Sequence, residues 1–307
     1  MPIDATNVHV REIYTDAVAN RTQTDVYANG KMQARVFPVA TYDGNDEITK
    51  EDLKNYVRNN VEIYQITSSE DKDPLDPKWV YSSTSNGYNH DINHSLSSDD
   101  EAHELSKTYQ YLSIRVPFYF TVPLSSVGSH RWVAKHKNSF TPDQASVTVI
   151  SHVFSVNEAS FDFAEVGTEK QSYHLRALRY THTILPTPVK LVKCQKYQGV
   201  EIKVGGTVGI CWRSFYGAFY ETFNLLSYQP GSVEPDDDLS DQYKELSTAF
   251  SKQQIKSAWS QGVAMIGFYF SDTPTFSVDR LKVEDNYGNV VALDLKKWTV
   301  KNPVVII

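Results

Sequence analysis

Two histidines and a neighbouring carboxylate form the sharpest chemical cluster in this sequence: His90, Asp91 and His94, with Asp99, Asp100 and His103 completing it within fourteen residues. Imidazole nitrogens and carboxylate oxygens together suit a first-row transition metal, and on an extended strand His90 and His94 would point the same way. The surrounding run, STSNGYNHDINHS, is loop-like, and it lacks the H-E-x-x-H spacing that sets two histidines on one helical face. Solvated loop histidines account for the pattern. No metal ligand, cofactor-binding residue or catalytic residue is therefore assigned, and no cofactor is implied.

The other candidates are weaker. Asp236-Asp237-Asp238 with Asp241 resembles the start of a calcium loop but has no glycine at the sixth position and no glutamate at the twelfth; an acidic helix N-terminus complementing the macrodipole explains it. There is no G-x-S-x-G turn, and Gly205-Gly206 lacks the lysine and strand-to-helix setting of a phosphate-binding loop. Cys194 and Cys211 are too few for a disulfide framework. Two buried thiols are the simplest reading, with pairing left open. Trp79, Tyr81, Tyr88 and Asn89, in a polar stretch, are the residues that would stack on and hydrogen-bond a glycan.

Composition narrows the partners. A net charge of −7 argues against a nucleic-acid backbone, and clusters such as Lys135-His136-Lys137 are too small to reverse it. With 40% hydrophobic and 22% charged residues and no long apolar run, a stable membrane span is not expected. The N-terminal MPIDATNVHVREI has charges and no apolar core, so no secretory signal is read there and the expected location is a particle assembled in the cytoplasm.

The element that would position these groups is the stretch from Thr108 to Leu124. Leu112, Ile114, Val116, Phe118, Phe120 and Val122 alternate with Ser113, Arg115, Pro117, Tyr119, Thr121 and Pro123, which describes a long half-buried strand. Prolines on its less apolar side point to a bent edge strand whose free side meets another subunit. Three hairpins are expected, each with a three-residue loop: Asn29-Gly30-Lys31, Gly205-Gly206-Thr207 and Tyr287-Gly288-Asn289. Thr49-Lys-Glu-Asp52 opens a short helix with Leu53, Tyr56 and Val57 on one face, and a second helix is expected over 240–251. Residues 67–107 read as mostly loop and Ser125 to Pro142 as loop-like. The apolar end NPVVII needs covering, by its own sheet or by a neighbour's.

These features predict a mainly β fold of antiparallel sandwich or jelly-roll type, as one β-structure or two packed β-units, with two short helices. The expected division is an N-terminal β-rich unit, 1–125, carrying the long polar loop 67–107, and a C-terminal β-rich unit, 126–307, with an acidic linker at 229–238. The leading functional expectation is a non-enzymatic structural protein of a virion or phage tail-like particle: capsid, spike, fibre or tail component. It would act through self-assembly and surface recognition, with copies of itself or other particle subunits as partners. A carbohydrate-binding, lectin-like module is the alternative; a pore-forming toxin and a hydrolase on a β-scaffold follow.

Overall fold

The computed structural model describes residues 3–69, 71–94, 103–108, 111–155, 159–165, 173–182, 191–198, 202–204, 207–213, 220–225, 263–270, 280–299 and 302–306. Strands make up 46% of the chain and one α-helix is described, so the mainly β class holds. The chain separates into two units, Met1–Phe154 and Ser155–Ile307.

The first unit begins with β1 (Val8–Tyr14), β2 (Gln23–Tyr27) and β3 (Gln33–Tyr42). Helix α1 (Lys50–Asn60), β4 (Val61–Ile66), β5 (Lys72–Pro74) and β6 (Val80–Ser82) follow. It continues through β7 (His103–Thr108), β8 (Tyr111–Arg115), β9 (Phe118–Thr121), β10 (Gly128–His136), β11 (Ser139–Phe140) and β12 (Val147–His152). Three short strands thus interrupt the segment expected to be mostly loop.

Two sheets form from these strands. In one, β3 lies between β1 and the pair β8 and β9, which share one unbroken register from Tyr42 opposite Leu112 to Gln33 opposite Thr121. The long strand read from the alternation is therefore real, but it is not an edge. Beyond it β7 pairs with β8, and β6 pairs with β9. Pro117 fits because Val116 N–H donates inward to the Pro38 carbonyl (3.2 Å), so the next nitrogen faces outward. There β7 has ended opposite Arg115 and β6 begins only opposite Tyr119, so the missing donor falls between two partners.

The second sheet runs β2-β12-β10-β4-β5, with β11 folded back on β10. All its pairs are antiparallel except β2 with β12. The sheets meet face to face where Trp132 of β10 packs edge-on against Phe120 of β9 (5.4 Å) and against Trp79 (4.9 Å). Strand β10 occupies the centre of its sheet, although its sequence reads as loop. Only Trp132, Val133 and Ala134 interrupt the polar run GSHRWVAKH, too short an apolar stretch to show a period. Because β10 and β12 pair with β4 and β2, the first unit extends to Phe154 and not to residue 125.

The Asn29-Gly30 turn forms, with Gly30 at φ +73° and the Asn29 side chain accepting from the amides of Lys31 and Met32. Its strands do not pair as a hairpin, however: β2 joins one sheet and β3 the other. Val26, Met32, Ala34 and Val36 are all fully buried, so the apolar parity fits a corner between packed sheets as well as it fits a hairpin.

Helix α1 starts where its capping box predicts: Thr49 Oγ1 accepts from the Asp52 amide (3.1 Å), and the Asp52 carboxylate accepts from the Thr49 amide (2.9 Å). Leu53 and Val57 are fully buried. Just before the helix, Gly44 lies in a space that admits no side chain. A Cβ there would overlap the Tyr42 hydroxyl and lie 2.7 Å from Asn7 Nδ2. Gly44→Ala is expected to cost about 1–3 kcal/mol through overpacking, read as a lower urea midpoint for the first unit.

The second unit contains β13 (Ala159–Glu165), β14 (Tyr173–His182), β15 (Leu191–Gln198), β16 (Ile202–Val204) and β17 (Thr207–Arg213). It continues with β18 (Tyr220–Leu225), β19 (Val263–Phe270), β20 (Arg280–Asp285), β21 (Val290–Thr299) and β22 (Asn302–Ile306). One sheet runs β13-β14-β19-β18-β17-β16 and the other β15-β20-β21-β22. Strand β14, whose faces are equally mixed in sequence, is hydrogen-bonded on both sides. Val204 pairs with Thr207, so that hairpin has two residues between its strands, not three. The last hairpin keeps three, shifted by one to Asn286-Tyr287-Gly288, and sets Val283 opposite Val291 as parity requires. The apolar C-terminal strand β22 is taken up by β21 of its own sheet. Cys194 and Cys211 fall in separate sheets, on β15 and β17. The expected linker at 229–238 and helix at 240–251 lie outside the described residues.

Candidate functional site

The odd-numbered face of β3, β8 and β9 is where the polar chemistry of the first unit gathers. Gln33, Arg35, Ser113, Arg115 and Tyr119 stand on it, and all are buried. Alternation predicts a solvent-facing side here; instead, loops close over it.

His90 belongs to one of those loops. It is 2% exposed, with Nδ1 3.1 Å from the Gln33 carbonyl, Nε2 2.9 Å from Ser85 Oγ, and its ring against Tyr119. A carbonyl can only accept, so Nδ1 carries the proton and Nε2 accepts from the serine. Burial pushes the imidazole down to about 3, the nearby Arg35 charge adds to this, and the Gln33 carbonyl opposes it. Both nitrogens are thus used within the fold, and the ring is neutral at any physiological pH.

Asp91 and His94 are placed differently. Asp91 Oδ1 accepts from the amides of Asn93 (2.7 Å) and His94 (3.2 Å) and lies 3.3 Å from His94 Nδ1; Oδ2 accepts from Thr24 Oγ1 (3.0 Å). Burial raises this carboxyl, and the Asn93 amide and Thr24 hydroxyl work against that rise. The loop is also tied by Ile92 N–H to the Asp25 carbonyl (2.8 Å), and by Asn86 to Gln33 Oε1 (2.9 Å) and to the Lys31 carbonyl (2.6 Å). His90 and His94 do not converge. His90 and Asp91 fasten the loop to the β2–β3 corner, while His94 pairs with Asp91 within the loop; His103 opens β7 opposite Arg115, and Asp99 and Asp100 lie outside the described residues. Among the described residues, no three His, Cys, Asp or Glu side chains are grouped to hold a metal.

A second tie lies farther along the same face. Arg115, 5% exposed, donates from Nη1 to the carbonyls of Ala17 (3.0 Å) and Asp16 (3.4 Å) and from Nη2 to Asn20 Oδ1, with its guanidinium 4.5 Å from the Tyr14 ring. Burial pushes the Asp16 carboxyl up. The amides of Ala19 and Val18 and the charges of Arg21 and Arg35 outweigh that and hold it below its ordinary value. In the sequence Arg115 stands on the less apolar side of the alternation, where a solvent-facing charge is expected. A charge inside a strand of that length was itself the available signal, because a buried charge needs a partner.

Catalytic relays fare no better than metal ligands. His152 Nε2 lies 2.7 Å from Asp25 Oδ1, and Gln23 Nε2 reaches Asp25 Oδ2 (3.1 Å). The adjacent Ser151 hydroxyl donates to the Ser126 carbonyl, while His130 Nε2 is 3.4 Å away. Neighbouring strand residues face opposite sides, so this hydroxyl and this Asp–His pair do not join into a nucleophile relay.

Of the residues named for glycan contact, Trp79 is 5% exposed, enclosed by Trp132 and His130, and offers no stacking face. Tyr88 and Asn89 are half-buried. Only Tyr81 is exposed, at 41%, lying against Phe118 and Phe120.

In the second unit, the fully buried Asp285 carboxylate accepts from the amides of Tyr287 and Asn289 (both 2.9 Å) and from Asn289 Nδ2 (3.1 Å). Burial pushes it from 3.8 up to about 6, aided by Glu284 and opposed by those three donors. Between these values the folded chain keeps a proton that the unfolded chain has lost. Its contribution to stability is therefore full below about pH 4 and falls as pH rises through about 6. The difference in melting temperature between wild type and Asp285→Asn is expected to change across that window and to be flat from pH 7 to 8.

No family model matches the chain, and no curated protein matches it. Among solved structures, the adhesin InvE of Yersinia pseudotuberculosis aligns over 99% of this chain and 59% of its own, with 9% identity and a TM-score of 0.23. The chain spans about three-fifths of that adhesin, and a likeness at this level carries no argument about fold or function. Among the described residues, no helix is long and apolar enough to cross a membrane.

Proposed function

We propose that this chain is a non-enzymatic structural protein of a virion or phage tail-like particle, working by self-assembly and by recognition at its surface. The observation that carries this reading is the outer margin of the first sheet. Strands β6 and β7 lie end to end there, and among the described residues nothing pairs beyond them. Val80, Tyr81 and Leu105 are exposed by 41–59% along this margin, three of the nine large hydrophobics that face solvent among the described residues. Monomeric β-proteins blunt such edges with charge, proline, a bulge or a covering loop. Here β7 carries Glu104 and Lys107 and a register slip at Leu105, which protect part of it, while the exposed Val80, Tyr81 and Leu105 leave apolar side chains at this edge, where another chain can pair. Chemically capable side chains, by contrast, are spent on fastening loops, as at His90, Asp91, Asp16 and Arg115.

Under this reading, Leu105→Lys combined with Val80→Lys splits the assembled protein into subunits without changing its circular dichroism. Light scattering of wild type and variant side by side is the test. Equal masses for the two would contradict the margin as the contact.

A further inference from the structure

We infer that the groove between the β1 bulge and the turn at 142–145 binds a neutral saccharide. This goes beyond the assembly reading and does not depend on it, since all the groove's residues lie within the first unit.

The register of β1 on β3 slips between Val10, opposite Ala40, and Glu12, opposite Val39, which leaves Arg11 as the extra residue of a β-bulge. Such an insertion turns side chains away from the regular alternation, and here Arg11 and Glu12 are both exposed in succession. They line an open groove of about 440 Å³ together with Tyr14, Thr22, Pro142 and Gln144. That volume lies within the range of small-ligand sites, roughly 300–1,000 Å³.

Tyr14 with Glu12 on one side, and the backbone of the turn on the other, are held in place before any ligand arrives. Tyr14 donates its hydroxyl to Glu12 Oε2 (3.1 Å), and the Arg115 guanidinium covers its ring. On the other side, Arg131 Nη2 bonds the Asp143 carbonyl (3.3 Å) and Ser146 Oγ (2.9 Å), and Lys72 pairs with the Asp143 carboxylate (2.9 Å). Fixed walls reduce the ordering cost of binding.

The groups left over define the ligand. The side chains of Arg11, Thr22 and Gln144 make no hydrogen bond or ion pair among the described residues, and Glu12 has one carboxylate oxygen uncommitted. Guanidinium and amide donors beside carboxylate and amide acceptors match vicinal hydroxyls, each of which donates one bond and accepts others. One positive and one negative charge leave the groove without net charge, which disfavours an anionic ligand. Glu12 is its single carboxylate, so the pair of acids that glycoside hydrolysis requires is missing from the lining and the groove binds without cleaving.

The test is a glycan array probed with the full chain, followed by titration of the best-retained glycan into wild type, Arg11→Ala/Gln144→Ala and Tyr81→Ala. Both groove residues are surface side chains, and unchanged amide exchange in β1 and β12 verifies that the variant folds. Retention of neutral glycans, with affinity at least tenfold weaker in the groove variant and unchanged in Tyr81→Ala, is the expected result. An array without hits, retention of acidic glycans alone, undiminished binding by the groove variant, or a loss confined to Tyr81→Ala would each overturn the assignment.

Discussion

Arg115→Met should destabilise the first unit by about 2–4 kcal/mol, because two buried carbonyls lose their donor and the Tyr14 ring its guanidinium cover. Methionine keeps most of the side chain's length but strands the buried carbonyls of Ala17 and Asp16, while the amide oxygen of the exposed Asn20 turns to water. Each buried acceptor left without a donor costs about 1–3 kcal/mol. The corner at 15–20 should also come loose. Asp16 retains the amides of Val18 and Ala19 and the Arg21 contact, so the corner keeps its internal turn while losing its anchor to β8. Urea denaturation followed by amide exchange in residues 15–21 measures both effects. Arg115→Lys should recover only part of the loss, because an ammonium cannot fork to three acceptors. A methionine variant within about 0.5 kcal/mol of wild type, the range of an ordinary surface change, would show that this face is not held by the arginine.

Trp132→Ala should be comparably severe, at about 3–5 kcal/mol for truncating a large buried aromatic. The side chain is 0% exposed and joins the two sheets of the first unit through its edge-on contacts with Phe120 and Trp79. Trp132→Phe separates packing from polarity. The indole nitrogen has no acceptor among the described residues, so phenylalanine removes an unsatisfied donor at the same time as it removes volume. Its loss is expected to be less than half that of alanine. Amide exchange of β9 and β10 reports on this core directly, and equal losses for the two variants would contradict the sandwich contact described above.

Local chemistry was legible in the sequence; partnership was not. The Thr49–Asp52 capping box and the three-residue turn around Gly288 depend on residues a few positions apart; both form, the turn shifted by one to 286–288. The long alternation over 112–122 also identified a real strand, but an alternating pattern reports what a strand carries and not which strands lie beside it. Its edge assignment failed because Pro117 sits in the gap between β6 and β7, an arrangement set by segments far apart in the chain. The corner at Gly30 failed similarly, since turn residues fix a reversal of direction while sheet membership is decided by contacts with β12 and β9. His90 reads from the sequence as a solvated loop histidine, and it is buried instead. Its role depended on the Gln33 carbonyl, 57 positions away, which no spacing rule encodes.

Electron micrographs of the purified chain at high concentration decide whether it works as part of an assembly. Closed or fibrous multimers of uniform dimensions are expected, built by repetition of one contact at the β6–β7 margin. A field of single chains that stays monomeric at every concentration would contradict it.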